Sequence, residues 1–391
     1  MVKPHRRRGR RAYPPAGPKG AAGRVAPVSE TPSPADRSPF SSADPGPRAP
    51  SYLLAQSGPR PAPASAEAAL LEKILFEAKK VIVGQDRLLE RVLVSLLARG
   101  HCLIEGVPGL AKTLTIETIA TAVGGSFARI QFTPDLIPSD LVGTRIYRAS
   151  SESFDVELGP VFANFVLADE INRSPAKVQS ALLEVMAEHH VTIGGTTHQV
   201  PQPFLVLATQ NPIESEGVYP LPEAQRDRFL MKLIVGYPGQ QDELEVVRRM
   251  GVRPPRALRV TEIDDLARLQ RASDDVFVDA GVADYAVRLV LATREPAEHG
   301  VGEVAPYVAY GASPRGSLGL VAAARALALL RGRDYAVPQD VFDVAFDVLR
   351  HRIVLSYEAL AEGVDADTIL ARILSVVPAP LVESRRPGAA S

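Results

Sequence analysis

Residues 106–113 read Gly106-Val107-Pro108-Gly109-Leu110-Ala111-Lys112-Thr113 and stand between an apolar run and a segment with helical periodicity. This arrangement predicts a phosphate-binding loop, in which backbone N–H groups of the glycine-rich turn and of the following helix surround phosphate oxygens. Lys112 would add positive charge and Thr113 a hydroxyl facing a metal ion. The motif asks for glycine before the lysine, and we expect Ala111 to be tolerated there if its backbone is already helical. From these residues alone, a glycine-rich strand-to-helix turn without a ligand is the alternative.

A pair of acids, Asp169-Glu170, comes directly after the apolar run 165–168. If that run is a parallel strand, its carboxyl end faces the crevice in which open α/β sheets bind ligands. Beside a phosphate-binding loop, Asp169 would bind Mg²⁺, and Glu170 would orient or deprotonate a water that attacks the γ-phosphate. Taken alone, the pair is also compatible with favourable charges at the start of a helix.

Three further polar side chains are candidates for the same chemistry. Asn211 follows another apolar run, where its amide could bond the attacking water or the γ-phosphate, although Asn before proline is also typical of turns. Arg228 precedes an apolar run, and Arg315 stands near the start of a predicted helix. An arginine that reaches a transferred phosphoryl group can raise the rate ~10³- to 10⁵-fold. Without a framework around them, both arginines could equally be surface cations.

Apolar runs alternate with segments of helical periodicity through the middle of the chain. Strands that are apolar throughout and separated by helices indicate a mostly parallel sheet covered on both faces. We therefore predict an α/β core of the P-loop NTPase class. Its predicted strands are 102–104, 127–132, 162–168, 204–209 and 231–235, and its predicted helices include 112–123 and 174–188, the latter with Ser174 as N-cap and Pro175 at its first position.

After residue 238 the strand patterns stop and helical periodicity continues, which predicts a small all-helical domain. Its predicted helices are 243–250, 263–271, 283–292, 318–330 and 341–349. The two ends of the chain are rich in Pro, Ala, Ser and Arg without apolar periodicity, which is typical of disorder. The predicted division is a basic tail at 1–65, an α/β core at 66–238, a helical domain at 239–377 and a flexible end at 378–391.

The composition is that of a globular protein, with 391 residues, 46% hydrophobic residues and a net charge of −1. A single cysteine, Cys102, excludes an internal disulfide and a Cys-rich zinc site. No stretch offers the roughly 18 consecutive apolar residues of a membrane span, so we expect a cytoplasmic protein. The lysines and arginines that precede Glu30 could contact nucleic acid, acidic lipid or the protein's own acidic surface, but a solvated tail is the simpler interpretation.

From about residue 83 to residue 228 the chain resembles the MoxR family of AAA+ ATPases. Alanine before the loop lysine is typical of that family, so Ala111 supports the resemblance. The helical domain resembles the family's lid less sharply, chiefly through Ala312-Ser313-Pro314-Arg315. The other matching segments stand in order along the chain: Val83-Gly84-Gln85, the loop ending in Gly-Leu-Ala-Lys-Thr, Gly159-Pro160-Val161-Phe162-Ala163-Asn164, Ala168-Asp169-Glu170-Ile171-Asn172-Arg173, Leu207-Ala208-Thr209-Gln210-Asn211-Pro212 and Leu221-Pro222-Glu223-Ala224-Gln225.

The resemblance implies a ring-forming ATPase, usually a hexamer, that holds ATP and Mg²⁺ between neighbouring subunits. Residues 135–154 would form an insertion and residues 191–200 a hairpin, both facing the surface that contacts clients. The implied roles are phosphate and Mg²⁺ binding for Lys112 and Thr113, metal binding for Asp169, water activation for Glu170, γ-phosphate sensing for Asn211, entry into the neighbour's site for Arg228 and lid sensing for Arg315. ATP would be bound by Val83 and Gly84 near adenine and by Gly106, Val107, Pro108, Gly109, Leu110, Ala111, Lys112, Thr113 and Leu114 around the phosphates.

The implied function is a chaperone that uses ATP to remodel or activate partner proteins, with von Willebrand A domain proteins and metal-cofactor enzymes as clients. The alternatives are a DNA-translocating, helicase-like ATPase and a chelatase-type motor subunit. DNA is the less favoured partner because the predicted folded part is not basic and contains no separate nucleic-acid-binding module. A scaffold that only binds ATP is also less favoured, since such a switch needs neither Glu170 nor Arg228.

Overall fold

A computed structural model describes residues 65–150, 152–211 and 218–380. Nearly all of the two predicted disordered ends lies outside these ranges, and so does Pro212 of the motif around Asn211. The described residues form an α/β core followed by a region of helices.

The core contains a central sheet and two separate hairpins, with short loops between most elements. In chain order its elements are α1 Ala66–Val81, α2 Asp86–Leu97, β1 Cys102–Glu105, α3 Lys112–Val123, β2 Phe127–Gln131, α4 Pro138–Val142, β3 Gly143–Arg148, β4 Ser153–Leu158, β5 Phe165–Asp169, α5 Ala176–Glu188, β6 His190–Ile193, β7 Thr196–Gln199, β8 Leu205–Gln210, α6 Glu223–Arg226 and β9 Met231–Ile234.

The central sheet has the strand order β2-β5-β8-β1-β9, and all its pairs are parallel. Helices cover both faces, because Cys102 of β1 bonds Ser95 of α2 while its neighbour Leu103 packs in one cluster with Leu182 of α5. The predicted α/β fold is therefore confirmed. Since the strands are parallel, they all end at one edge, which we call the carboxyl end of the sheet, and begin at the opposite edge, the amino end.

The two hairpins fall in the segments for which the family resemblance implies an insertion and a hairpin. The first pairs β3 with β4 after the short helix α4, and it extends to Leu158, beyond the predicted limit of residue 154. The second pairs β6 with β7 through Gly194-Gly195, and both glycines have positive φ.

The region that we call the helical region runs from residue 240 to residue 376. Its short antiparallel strand pair, β10 with β11, was not predicted from the sequence, because strands of two or three residues carry too little pattern. Its elements are α7 Gln240–Met250, α8 Ile263–Asp274, α9 Ala280–Arg294, β10 Val308–Tyr310, α10 Pro314–Leu330, α11 Pro338–Leu349, β11 Val354–Leu355, α12 Tyr357–Glu362 and α13 Ala366–Val376.

A buried ion pair joins the helical region to the core. Asp347 of α11 accepts hydrogen bonds from Arg91 Nε at 2.9 Å and from Arg87 Nη2 at 3.1 Å, both on α2. Asp347 and Arg91 are almost fully buried, so removing either would cost the other a buried partner and destabilise the contact between the two parts. None of the described helices is long and apolar enough to cross a membrane.

The predicted N-cap of the helix after Asp169-Glu170 is wrong by one residue, and the short turn that precedes this helix was not predicted. Residues 171–173 form a short 3₁₀ turn, and Pro175 rather than Ser174 is the N-cap of α5. The Ser174 hydroxyl instead donates to the carbonyl of Ile171 at 3.4 Å. The extra turn matters for the site because it follows Glu170 directly.

Candidate nucleotide-binding site

The glycine-rich loop connects β1 to α3 at the carboxyl end of the sheet. A Cβ on Gly106 would lie 2.6 Å from the carbonyl oxygen of Val235, so only glycine fits this close approach. At Gly109 φ is +84°, and a Cβ there would meet no described atom within 4 Å, so the loop faces open space at this point. The first described backbone bond of α3 runs from Thr115 N–H to Ala111, which leaves the preceding N–H groups of the helix available to an anion.

Ala111 has φ 56° and ψ 20°, the left-handed conformation. The expectation that its backbone is helical is therefore wrong: the chain enters α3 through a conformation that glycine adopts without strain and alanine does not. Such strain at a ligand loop costs about 1–3 kcal/mol and persists only where the surroundings enforce it. The family motif thus places alanine where the backbone favours glycine.

Lys112 turns back over the loop, and its ammonium donates to the carbonyl of Gly106 at 2.5 Å. Partial burial lowers the pKa of the Lys112 ammonium, while the carboxylates of Asp169 and Glu170 oppose this shift. The fold thus brings together the loop lysine and the acid pair, which are far apart in sequence but close enough to interact electrostatically.

Thr209 of β8 connects the two acids at the end of β5. Its hydroxyl donates to Asp169 Oδ1 at 2.6 Å and accepts from the backbone N–H of Glu170 at 2.8 Å. Glu170 itself has φ 57°, so this bond holds a backbone conformation that is unusual for glutamate. Sequence reasoning missed Thr209, although its place directly before Gln210-Asn211 on the neighbouring strand is a signal that could have identified it.

Strand β2 supplies two further contacts that sequence reasoning also missed. Arg129 Nη2 donates to Asp169 Oδ2 at 2.6 Å, and Gln131 Nε2 donates to Glu170 Oε2 at 2.8 Å. Arg173 Nη1 donates to the same Glu170 oxygen at 3.0 Å. The signal for Arg129 and Gln131 is their alternation on a strand that pairs with β5, where Gln131 lies opposite Asp169.

Asn211 and the segment Val83-Gly84 also lie at the carboxyl end. Asn211 is buried and follows β8, the strand between β5 and β1. Gln85 Nε2 donates to the carbonyl of Gly236, just beyond the end of β9, at 3.2 Å. The predicted adenine-binding residues are thus on the same side of the sheet as the glycine-rich loop.

Arg228 and Arg315 lie at the amino end instead. Leu230, two residues after Arg228, donates its N–H to the carbonyl of His101 at 2.8 Å, and His101 directly precedes β1. Arg228 Nη1 donates to the carbonyl of Leu183 at 2.9 Å, and Arg315 Nη1 lies 3.8 Å from Asp227 Oδ2. The length of β1, about 13 Å at 3.3 Å per residue, separates this end from the loop. Within one chain, the two arginines and Lys112 therefore do not form one site.

Two known family models match parts of this chain. The family described as ATPase family associated with various cellular activities (AAA) matches residues 101–231, and the AAA lid domain matches residues 302–373. The chain is 61% identical over 320 residues to Chaperone MoxR1 of Mycobacterium tuberculosis, which covers 82% of this chain and 85% of that protein. It is 33% identical over 327 residues to Protein MoxR of Methylorubrum extorquens, and this match covers 78% of this chain and 93% of that protein. The chain belongs to the MoxR family of AAA+ ATPases.

A solved structure supports the same assignment. The crystal structure of a candidate ATPase from Cytophaga hutchinsonii matches with a TM-score of 0.77 at 48% sequence identity, over 81% of this chain and 96% of that one. The protein described here is thus an ATPase with a nucleotide-binding core and an AAA lid.

The side chains of this MoxR-family ATPase suit a hard divalent cation beside a phosphate. Thr113 offers a hydroxyl in the first turn of α3, and Asp169 a carboxylate at the end of β5. Mg²⁺ prefers oxygen ligands and commonly takes only one or two from the protein. Arg129 now pairs with Asp169, but it is half exposed and could give way to a metal ion.

Proposed function

We propose that this ATPase hydrolyses ATP with Mg²⁺ in a ring of identical subunits, such as a hexamer, and thereby remodels or activates partner proteins. The observation that carries the proposal is the position of Lys112 near Asp169 and Glu170, at the end of the sheet away from Arg228. Each subunit would hold the phosphates of ATP, and a neighbour would supply the arginine.

Within a subunit, the backbone N–H groups of residues 106–114 would bind the phosphates, and Lys112 would exchange its bond to Gly106 for phosphate oxygens. Thr113 and Asp169 would bind Mg²⁺, which when bound neutralises charge on the phosphate oxygens. Glu170, oriented by Gln131 and Arg173, would take the proton of the attacking water. Asn211 would hold that water or the γ-phosphate, and Val83-Gly84 would lie near adenine.

The neighbouring subunit would contribute Arg228 and Arg315. Both arginines lie at the amino end, so a ring that sets the amino end of one subunit against the carboxyl end of the next would bring them to the phosphates. There, positive charge stabilises the transition state of phosphoryl transfer. This arrangement makes hydrolysis depend on assembly.

ATP turnover by Glu170→Gln and Glu117→Gln tests the chemical part of the proposal. Glu117 is an exposed glutamate on α3 and serves as the matched control. We expect Glu170→Gln to retain ATP binding and to lose roughly 10²- to 10⁴-fold in kcat, the usual contribution of a general base. Glu117→Gln should hydrolyse ATP normally, and EDTA should stop turnover in both the parent and the control. Unchanged turnover in Glu170→Gln would exclude Glu170 as the base.

The chaperone part of the proposal is supported by the relative named Chaperone MoxR1 and by the family resemblance. Clients with a von Willebrand A domain or a metal cofactor are the partners that the resemblance implies. Capture with ATP-loaded Glu170→Gln from the native lysate, followed by mass spectrometry, should recover such proteins. Recovery of nuclease-sensitive DNA with replication proteins would favour translocation instead, and recovery of chelatase subunits would favour a chelatase motor.

A further inference from the structure

Asp227, the residue before Arg228, contacts several side chains of the helical region. Its carboxylate accepts from the Ser313 hydroxyl, which lies 3.0 and 2.9 Å from its two oxygens, and from Arg352 Nε at 3.0 Å. Arg315 Nη1 lies at 3.8 Å. Three side chains of the helical region thus converge on one acid of the core.

Arg352 contacts the backbone on both sides of Arg228, since its Nη2 also donates to the carbonyl of Asp227 at 3.3 Å. It is only 7% exposed, and its guanidinium donates to the carbonyl of Phe229 at 2.6 Å and to that of Leu230 at 3.1 Å. Burial lowers the pKa of Arg352 to about 10, and Asp227 opposes that shift. A buried guanidinium needs such an anion and several acceptors to offset its lost hydration. Arg352 and Asp227 therefore stabilise each other in one geometry.

The core also holds the segment around Arg228. Phe229 is fully buried in the main core cluster, and Asp227 ends α6 by donating its N–H to Glu223 at 3.0 Å. Arg228 thus follows a residue that is bonded to the helical region and precedes one that is anchored in the core. The Arg228 guanidinium is bonded to the carbonyl of Leu183 in the core, whereas its backbone neighbours are bonded to Arg352, so a shift of the helical region relative to the core would move the backbone of Arg228 against that contact.

Arg315 is held much more loosely than Arg352. Its side chain is 56% exposed, and its distance to Asp227 exceeds that of a hydrogen bond. Ser313 caps α10 by accepting from Arg315 N–H, so the same hydroxyl contacts Asp227 and fixes the start of the helix that carries Arg315. An exposed pair of this kind contributes little free energy, at most about 1 kcal/mol. Arg315 can therefore leave Asp227 for a stronger anion such as a triphosphate.

We propose that Asp227 is a positioning residue that holds Arg228 and Arg315 as a pair directed at the neighbouring subunit's ATP, with Arg352 and Ser313 fixing its carboxylate. The inference rests on the proposed shared site. It adds that the helical region sets the position of the two arginines that enter the neighbour's site. ATP binding in the pocket of the same subunit does not depend on Asp227.

Asp227→Asn tests this inference, since it removes the charge and keeps the shape. We expect kcat to fall up to about 100-fold, the usual cost of a small misplacement of a catalytic group, with unchanged affinity for ATP. Mixing with Glu170→Gln subunits should restore part of the activity, because their intact Arg228 completes the pocket of the Asp227→Asn subunit. A residue needed only for folding of its own subunit would not be rescued in this way.

The matched control is Asp347→Asn, which breaks a buried ion pair between the same two parts of the chain without touching residues 227–230. Both variants should lower the melting temperature, but only Asp227→Asn should lower kcat in the folded ring. If Asp227→Asn does not fold, Ser313→Ala is the milder variant and should show a smaller kcat loss with the same rescue.

A normal kcat in folded Asp227→Asn or Ser313→Ala, or an equal kcat loss in Asp347→Asn, would overturn the inference. A parallel mixture of Arg228→Ala with Glu170→Gln separates it from the proposed function. If that mixture regains activity and the Asp227→Asn mixture does not, the positioning role fails alone. If neither mixture regains activity, the shared site itself fails.

Discussion

The two ends of the sheet are built in different ways. At the carboxyl end, Asp169, Glu170, Thr209 and Lys112 all belong to the core, and parallel strand order alone brings them together. At the amino end, the Arg228 side chain bonds Leu183 of the core, but the preceding residue Asp227 is held by residues of the helical region 86 and 125 positions further along the chain. The residues around the glycine-rich loop are thus positioned by the core alone, whereas the position of Arg228 also depends on the docking of the helical region.

The ends also differ in the state of their charges. Asp169 and Glu170 are paired with Arg129 and Arg173 inside the subunit, so each acid has a cationic partner from its own core. At the amino end Arg315 is exposed and only loosely held. This difference is expected if the carboxyl end receives ATP and the amino end provides a cation.

Arg228→Ala should show most clearly that the two ends of the sheet act separately, because it should lower turnover without affecting ATP binding. We expect kcat to fall ~10³-fold or more, because in the proposed shared site this arginine would stabilise the charge of the transition state, while ATP binding should persist at the untouched loop. Turnover and fluorescent nucleotide binding, measured on the same preparation, would test this. Arg268→Ala, which removes an exposed arginine of α8 that pairs with Asp265 on the same helix, should leave both properties unchanged. Loss of ATP binding in Arg228→Ala would show that the two ends are not separable.

Thr209→Val should damage the carboxyl end without affecting the arginines. It removes the two hydrogen bonds that hold Asp169 and the Glu170 backbone, and we expect a kcat loss of roughly tenfold to 100-fold from the misplaced acids. Thr118→Val, at another buried threonine of the core, is the control. Mixing Thr209→Val with Arg228→Ala should restore activity only at pockets that have a normal Thr209 and receive a normal Arg228. Normal turnover in Thr209→Val would remove Thr209 from the site.

Acidification should destabilise the amino end. His101 is buried there, with Nδ1 accepting from Val206 N–H and Nε2 bonded to the carbonyl of Met186, and burial lowers its pKa to about 4. His101 is therefore protonated near pH 6.5 in the unfolded chain but only near pH 4 in the folded protein. The contribution of neutral His101 to the free energy of unfolding is fully present above pH 6.5 and is lost as the pH falls from 6.5 to about 4. We expect His101 to account for about 2 kcal/mol of the loss in unfolding free energy between pH 7 and pH 5.

Urea unfolding of the parent and of His101→Gln at both pH values would measure that contribution. Glutamine can make similar hydrogen bonds but does not titrate, so the pH dependence should become shallower in the variant. An identical pH dependence in both proteins would contradict the neutral, buried state of His101.

Ala111→Gly should give the smallest effect, and one of the opposite sign. Glycine relieves the left-handed strain and should stabilise the protein by about 1 kcal/mol, seen as a higher melting temperature. Ala120→Gly, the same exchange in the interior of α3, should instead destabilise by about 1 kcal/mol or more. If both variants changed the melting temperature in the same direction, the left-handed conformation of Ala111 would not be a source of strain.

Much of the fold could be predicted because its signals are local. Helix α3 has the predicted bounds, and the five sheet strands lie within a few residues of the predicted runs, since buried parallel strands are continuously apolar. The strand pair β10–β11 and the 3₁₀ turn after Glu170 were missed because they are too short to carry a period. The conformation of Ala111 was predicted wrongly because the residue type favours a helix while the turn demands a positive φ.

The sequence by itself determined the glycine-rich loop, the acid pair, the parallel core and the family, because each depends on residues adjacent along the chain or on an apolar period. Only the tertiary structure decided that Arg129, Gln131 and Thr209 contact the acids, and that Arg228 and Arg315 lie at the opposite end beside Asp227. Those contacts join strands paired side by side and segments more than 80 positions apart. Their geometry arises from sheet register and from the docking of the helical region, neither of which leaves a pattern in the order of residues.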